Sequence, residues 1–165
     1  MITTDLFDEI RDRIGHRETI GLGVVTALQI RRYARAVGED NPLYHDPEYA
    51  RKRGFADVIA PPNMVPSIVD WGEGDVEEEL LTDGTAPGHL LGLDISDVRI
   101  MGGGEEMEFH RPVTAGTRLT LHSELVDVAQ RQAKTGLMIV LSFRNNYRDE
   151  AGIPLLTCNR TVLLR

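Results

Sequence analysis

The apolar residues at the start of the chain recur with a helical period. Leu6, Ile10 and Ile14 are spaced four residues apart within MITTDLFDEIRDRIG, which predicts an amphipathic helix over residues 1–17. The next segment, residues 18–25, contains β-branched residues and glycines, a composition typical of a short strand. The chain is therefore expected to open with a helix and a strand.

Two more helices are predicted on either side of a turn-rich segment. The first begins at Thr26, which is followed three residues later by a glutamine at capping-box spacing, and it ends at Gly38. The second covers residues 47–53, because Asp46 followed by proline is the usual order at a helix N-terminus. The segment VGEDNPLYHD, residues 37–46, therefore connects the two helices, and we call it the elbow.

The second half of the chain changes to a two-residue alternation of apolar and polar positions. This alternation predicts an antiparallel meander of long strands, preceded by a shorter one: residues 107–110, 119–126, 137–143 and 154–164. Residues 63–71 are apolar nearly all round, which predicts a buried helix, and the acidic residues 73–88 are predicted to be an exposed connection. The pattern as a whole predicts an α+β fold, with a long antiparallel sheet wrapped around a central apolar helix.

Composition limits the classes of function. The 165 residues are enough for one domain, and the net charge of −8 opposes binding to nucleic acid or to anionic membrane surfaces. No apolar run is long enough to span a bilayer. The single cysteine, Cys158, cannot form an internal disulfide, which predicts a reducing compartment and hence a cytoplasmic location. No two histidines have metal-ligand spacing, so no metal is expected.

The elbow and two later segments resemble a known family. RRYARAVGEDNPLYHDPEYA is similar to the signature of MaoC-like dehydratases and R-specific enoyl-CoA hydratases, in which a helix ends in Gly-Asp-x-Asn-Pro-Leu-His-x-Asp. IAPPNM resembles the loop that leads into the central helix of that family. GGGEEMEFHRPVTAGTRLTLHSELVDV resembles a strand-turn-strand unit of its N-terminal type of domain. The resemblance implies a single hotdog domain over residues 1–165, in agreement with the α+β prediction.

The resemblance also implies a reaction, the reversible hydration of trans-2-enoyl thioesters carried by coenzyme A or acyl carrier protein, with no further cofactor. This chemistry needs a base, an acid and donors for the enolate oxygen. The Asp and His positions of the family fall on Glu39 and Tyr44, and the same pair of residue types recurs one residue later as Asp40 and His45. These four residues are the candidate catalytic residues, although a tyrosine with a pKa of about 10 is a poor base.

The candidate substrate-binding residues are Asn41 in the elbow and the run Ala60, Pro61, Pro62 and Asn63. If Asn63 opens the central helix, its free backbone N–H is expected to face a thioester oxygen, whereas the two prolines have no N–H to donate. His110 is expected to be a structural or surface histidine. The run Gly102–Gly104 is expected to bend a strand or to allow a close backbone approach.

Several roles fit this resemblance. The first is an acyl-thioester-binding subunit that works in a homodimer or with a second hotdog subunit, because the altered residues at Glu39 and Tyr44 leave its own acid/base pair incomplete. The second is a self-sufficient homodimeric hydratase that uses the shifted pair. A non-catalytic acyl-CoA-binding protein and a thioesterase on the same fold are the remaining alternatives.

Overall fold

A computed structural model describes residues 4–67, 76–80, 89–91, 93–95, 98–133 and 136–165 of the chain. Its α-helices are α1 (Thr4–Arg11), α2 (Ala27–Ala36), α3 (Pro47–Lys52) and α4 (Met64–Ser67), and 3-10 turns cover Pro42–Tyr44 and Glu77–Glu79. Its strands are β1 (Arg17–Val24), β2 (His89–Leu90), β3 (Leu93–Asp94), β4 (Ile100–Phe109), β5 (Arg118–Ala133), β6 (Gly136–Arg148) and β7 (Pro154–Leu164).

The main sheet has five antiparallel strands in the order β1-β5-β6-β7-β4, and β2 and β3 form a separate pair. The predicted meander of long strands is confirmed in β5, β6 and β7. The strands β1 and β4 lie at the two edges of the main sheet, so each of them leaves one row of backbone groups without a strand neighbour among the described residues.

The strand β4 is much longer than predicted and includes all three glycines of the run. Its register with β7 shifts between Gly102 and Gly104, as in a β-bulge. A Cβ atom placed on Gly103 would lie only 2.7 Å from Cγ2 of Thr161 on β7. The predicted close approach is therefore confirmed, and it explains why a glycine is needed here.

Helix ends follow the predicted capping residues closely, except in α1. The capping box of Thr26 and Gln29 is present, and Gly38 has a φ of 75° after α2. By contrast, α1 ends at Arg11, earlier than predicted, and Ile14 lies beyond it with 46% of its surface exposed. The periodicity of the first segment therefore continues beyond the helix itself.

The apolar core forms two clusters. The first, which we call the elbow cluster, joins α2 and α4 to one end of the sheet: Ile30, Ala34, Met64, Val65, Leu119, Tyr147, Leu156 and Cys158. The second, the α1 cluster, packs Ile10 against the other end: Leu125, Ile139, Leu141, Phe143 and Leu164. Because Leu141, Phe143 and Tyr147 are an even number of residues apart on β6, both clusters use the same face of the sheet.

The predicted central helix is described only in part. Met64 and Val65 are buried in the elbow cluster, which agrees with the predicted burial, and residues 68–71 lie outside the described residues. Of the predicted connection at 73–88, only residues 76–80 are described, and most of them are exposed.

Candidate functional site

Hydrogen bonds fix the shape of the elbow. The Asn41 side chain accepts a bond from the backbone N–H of Leu43 at 3.1 Å, and its carbonyl accepts one from the N–H of Tyr44 at 3.0 Å. Asp46 then caps α3 by accepting bonds from the N–H groups of Glu48 and Tyr49. Asn41 and Asp46 therefore act within the elbow itself, as side chains of turns and helix caps commonly do.

A small cavity of about 200 Å³ lies between the elbow, the loop before α4 and the end of β4. Its walls are mostly apolar, with a phenol, an imidazole and a guanidinium among them: Tyr44, Ile59, Ala60, Pro61, Pro62, Val65, Phe109, His110, Arg111, Pro112, Val113, Leu155 and Leu156. Apolar walls with a few polar groups are typical of small-molecule sites. Four predicted site residues, Tyr44 and the run from Ala60 to Pro62, thus share one cavity.

Tyr44 is the buried polar residue of the elbow, with 9% of its surface exposed. Burial raises the pKa of its hydroxyl, and the nearby negative charge of Glu39 raises that pKa further. Tyr44 is therefore a neutral phenol at neutral pH, which can donate a hydrogen bond but cannot act as a general base. Glu39 is exposed and does not line the small cavity, so it acts on Tyr44 through its charge.

The shifted pair lies elsewhere. Asp40 and His45 line a shallow depression on the outside of the elbow, together with Arg35, Glu39 and Asp46. The Nε2–H of His45 donates to the backbone carbonyl of Glu39 at 2.8 Å, which ties the two ends of the elbow together. The structure therefore separates Asp40 and His45 from the cavity that Tyr44 lines.

The loop before α4 presents apolar groups to the small cavity. The N–H of Ala60 donates to the carbonyl of Val113 at 2.7 Å, and Pro61 and Pro62 have no N–H to offer. The carbonyl of Asn63 accepts the hydroxyl and the N–H of Ser67, and the Asn63 side chain is not among the cavity walls. The N–H of Asn63 is thus the one that remains for the predicted bond to a thioester oxygen.

His110 also lines the small cavity, whereas the sequence predicts only a structural or surface histidine at this position. Its Nε2–H donates to the hydroxyl of Thr157 at 3.0 Å, and that hydroxyl donates to the side-chain oxygen of Asn146 at 3.0 Å. The Nδ1 atom lies 3.8 Å from the Glu108 carboxylate. The bond to Thr157 on β7 accounts for the expected structural role of His110. The imidazole reaches the cavity because β4 pairs with β7, a pairing that the sequence alone does not show.

The two buried tyrosines predict how stability changes at high pH. Burial raises the pKa of Tyr147 to about 12, and the pKa of Tyr44 is also raised. Because both pKa values exceed the unfolded value of about 10, their contribution to folding is present below pH ~10 and is lost as the pH rises through the folded values. Chemical denaturation across this range is expected to show falling stability, and Tyr147→Phe should flatten that fall; an unchanged slope would contradict the assignment.

None of the described helices is long and apolar enough to cross a membrane. Among the described side chains there is also no group of three or more His, Cys, Asp or Glu residues placed to hold a metal ion.

Comparison with known proteins identifies the family. Residues 12–158 match the family described as "FAS1-like, dehydratase domain region". The chain belongs to this dehydratase family. The resemblance to MaoC-like dehydratases, which was predicted from the elbow and two later segments, is thereby confirmed.

Relatives and solved structures match most of the chain. A "UPF0336 protein" of Streptomyces avermitilis is 36% identical over 137 residues, which is 83% of this chain and 81% of that protein. The ChsH1-ChsH2 complex of Mycobacterium tuberculosis matches with a TM-score of 0.70 at 18% identity, over 96% of this chain and 88% of the other. The HadBC (3R-hydroxyacyl-ACP dehydratase) complex of the same organism matches with a TM-score of 0.66 at 20% identity, over 92% and 97%. The predicted hotdog fold is confirmed by these likenesses.

Proposed function

We propose that this chain is the acyl-thioester-binding subunit of an enoyl-thioester hydratase, or 3-hydroxyacyl-thioester dehydratase, and that a second hotdog subunit performs the proton transfers. The observation that carries the proposal is that Tyr44 lines the small cavity as a neutral phenol. In the resemblance to MaoC-like dehydratases, this is the position at which active members have a histidine. Membership in a dehydratase family supports the reaction class.

The chemistry explains why a partner is needed. Adding water to a trans-2-enoyl thioester requires a base that takes a proton from water and an acid that protonates the α-carbon. Tyr44 holds its proton too tightly to serve as the base, and Glu39 is exposed outside the small cavity. Tyr44 keeps one useful property, because its O–H can donate a hydrogen bond to an oxygen of the bound substrate.

The edge strand β4 is the natural place for the second subunit. Along its ten residues, one row of backbone groups has no strand partner in the described part of the chain. Phe109 at its end is 51% exposed and also lines the small cavity. A strand paired along β4 would complete the sheet and close the cavity from outside. The HadBC and ChsH1-ChsH2 structures are each a complex of two named proteins, which supports an assembly of this kind.

The substrate in this proposal is a trans-2-enoyl or 3-hydroxyacyl thioester of coenzyme A or acyl carrier protein. The apolar walls formed by Ala60, Pro61 and Val65 suit the carbon atoms next to the thioester group. His110 and Arg111 at the same cavity are positively charged or chargeable, which suits the polar thioester arm or its phosphates.

The test is hydration of one short and one long trans-2-enoyl-CoA, followed through loss of absorbance of the conjugated double bond. The purified chain alone is expected to bind acyl-CoA without turnover. Co-expression with a hotdog protein of the same organism that has Gly-Asp-x-Asn-Pro-Leu-His is expected to give turnover. Full turnover by the chain alone, unaffected by removal of the partner, would overturn the proposal, and so would a folded chain that binds no acyl-CoA.

Tyr44→Phe provides an internal control within the active complex. It removes the phenol oxygen and keeps the ring, so kcat is expected to stay within about threefold, because the loss of one neutral hydrogen bond is about 0.5–1.5 kcal/mol and falls mainly on binding. A loss of kcat of about 100-fold or more, the size expected for a proton-transfer residue, would make Tyr44 a catalytic residue instead.

His45→Ala separates the proposed role from that of a self-sufficient hydratase. The variant loses the bond from Nε2 to the Glu39 carbonyl and is expected to lower the free energy of unfolding by about 1 kcal/mol. Its kcat in the complex should stay unchanged, because His45 faces the outer depression. Thermal unfolding and steady-state kinetics check both values, and a large loss of kcat in a stable variant would favour the shifted pair.

A further inference from the structure

A polar band crosses the core-facing side of the sheet between the two apolar clusters. Ser123 on β5 and Asn145 on β6 lie directly opposite each other, and Arg160 on β7 lies opposite Glu105 on β4. A groove of about 1090 Å³, here called the long groove, is lined by all four of these residues. Burying a polar side chain in an apolar surface is costly unless it forms a hydrogen bond, so each member of the band is expected to have a hydrogen-bond partner.

Half of the polar band is satisfied within the protein. Arg160 donates to the Glu105 carboxylate at 2.5 Å and to the carbonyl of Pro66 in α4 at 2.6 Å. This pair therefore has a structural role, since it holds α4 against the sheet. It leaves the other half of the band to be explained.

Asn145 is the buried polar side chain of the band, with 5% of its surface exposed. Its side-chain oxygen accepts the hydroxyl of Ser123 at 2.7 Å. Among the described residues nothing accepts a hydrogen bond from its Nδ2 group. Buried amide donors are nearly always bonded, so this N–H group points to a bound molecule that supplies an oxygen.

The surroundings of Asn145 define the shape of that molecule. On either side of the polar band the long groove has apolar walls, which include Ile20, Leu121, Leu125, Phe143 and Val162. The part of a ligand that fits here is therefore a chain that is apolar on both sides of one oxygen. Because Ser123 gives its proton to Asn145, its oxygen can accept another, so a hydroxyl group matches both residues: it accepts from Asn145 and donates to Ser123.

We propose that the long groove binds an acyl chain that carries a hydroxyl group along its length, and that Asn145 and Ser123 recognise that hydroxyl. The inference rests on the proposed function, because it assigns the class of acyl chain that the subunit holds. It makes Asn145 a specificity-determining residue with no part in proton transfer.

The experiment compares dodecanoyl-CoA with a series of dodecanoyl-CoAs in which one hydroxyl is moved along the chain a carbon at a time. Calorimetric titration of the full chain is expected to find an isomer that binds about three- to tenfold tighter than the plain chain, the gain of one buried hydrogen bond. Asn145→Leu should remove this preference while it retains or improves binding of dodecanoyl-CoA. Ser123→Ala, a smaller change that leaves Asn145 in place, should weaken the same preference.

Asn159→Leu is the matched control, because Asn159 is exposed on β7 and is not among the walls of either cavity. It should keep the preference of the native chain. Equal binding of plain and hydroxylated chains by the native protein would overturn the inference alone, as would a preference that survives in both Asn145→Leu and Ser123→Ala. Failure of every acyl-CoA to bind would overturn the proposed function and the inference with it.

Discussion

Pro62→Trp is expected to lower the affinity of the chain for acyl-CoA by about tenfold or more, which corresponds to about 1.4 kcal/mol. Pro62 is exposed and forms part of the wall of the small cavity. An indole at this position would occupy much of a space of about 200 Å³, so a thioester could no longer enter beside Tyr44. Because Pro62 is outside the core, the fold should tolerate the change.

Asn63→Trp is the control for this effect. Asn63 is the next residue, is also exposed, and is not among the walls of the small cavity; tryptophan at this position keeps the backbone N–H. Calorimetric titration with acyl-CoA should therefore show near-native affinity for Asn63→Trp and a large loss for Pro62→Trp. Equal losses in the two variants would show that any bulky group in this loop disturbs binding, and unchanged affinity in both would place the acyl group elsewhere.

Leu141→Ala is expected to lower the free energy of unfolding by about 2–5 kcal/mol. Leu141 is fully buried in the α1 cluster, where it packs with Ile139 and Phe143 under α1. The loss combines the transfer energy of the removed methyl groups with the cavity that they leave. Denaturant unfolding measures the change, and the half-buried Val140 on the opposite face of β6 provides the comparison.

Val140→Ala should lower the free energy of unfolding clearly less than Leu141→Ala does, because the Val140 side chain is partly exposed and lies outside both clusters. Similar losses for the two variants would mean that β6 is buried on both faces. A loss below about 1 kcal/mol for Leu141→Ala would mean that α1 can close over the vacated space.

Local signals in the sequence predicted the helices of the elbow region well. The capping box at Thr26, the stop at Gly38 and the cap at Asp46 depend on contacts within a few residues, which the sequence displays directly. The predicted strand at residues 107–110 covers only the last part of β4, because the three glycines before it have no side chains and so show no alternation of apolar and polar positions. Its full length depends on pairing with β7, where Gly103 is needed for the approach to Thr161.

The residues of the candidate site also divide into those that nearby sequence predicts and those that depend on distant pairing. The resemblance singled out Tyr44 and the Ala60–Asn63 loop, and the structure places Tyr44 and three residues of that loop around one cavity. It could not reveal His110, whose role depends on Thr157, a residue 47 positions away. The burial of Asn145 can be predicted from the sequence, since Asn145 stands at an inward position of the β6 alternation with Leu141, Phe143 and Tyr147.

The charges on β4 have a consequence for the choice between a copy of this chain and a different protein. Glu106 and Glu108 are exposed along this edge, and Glu105 has its counterion, Arg160, within the same chain. Two copies paired antiparallel with Met107 opposite Met107 would place Glu106 of each copy opposite Glu108 of the other, and like charges across neighbouring strands repel. A strand with lysine or arginine at the facing positions would instead gain attraction at short range. Self-association through β4 should therefore strengthen with added salt, while association with a basic strand should weaken.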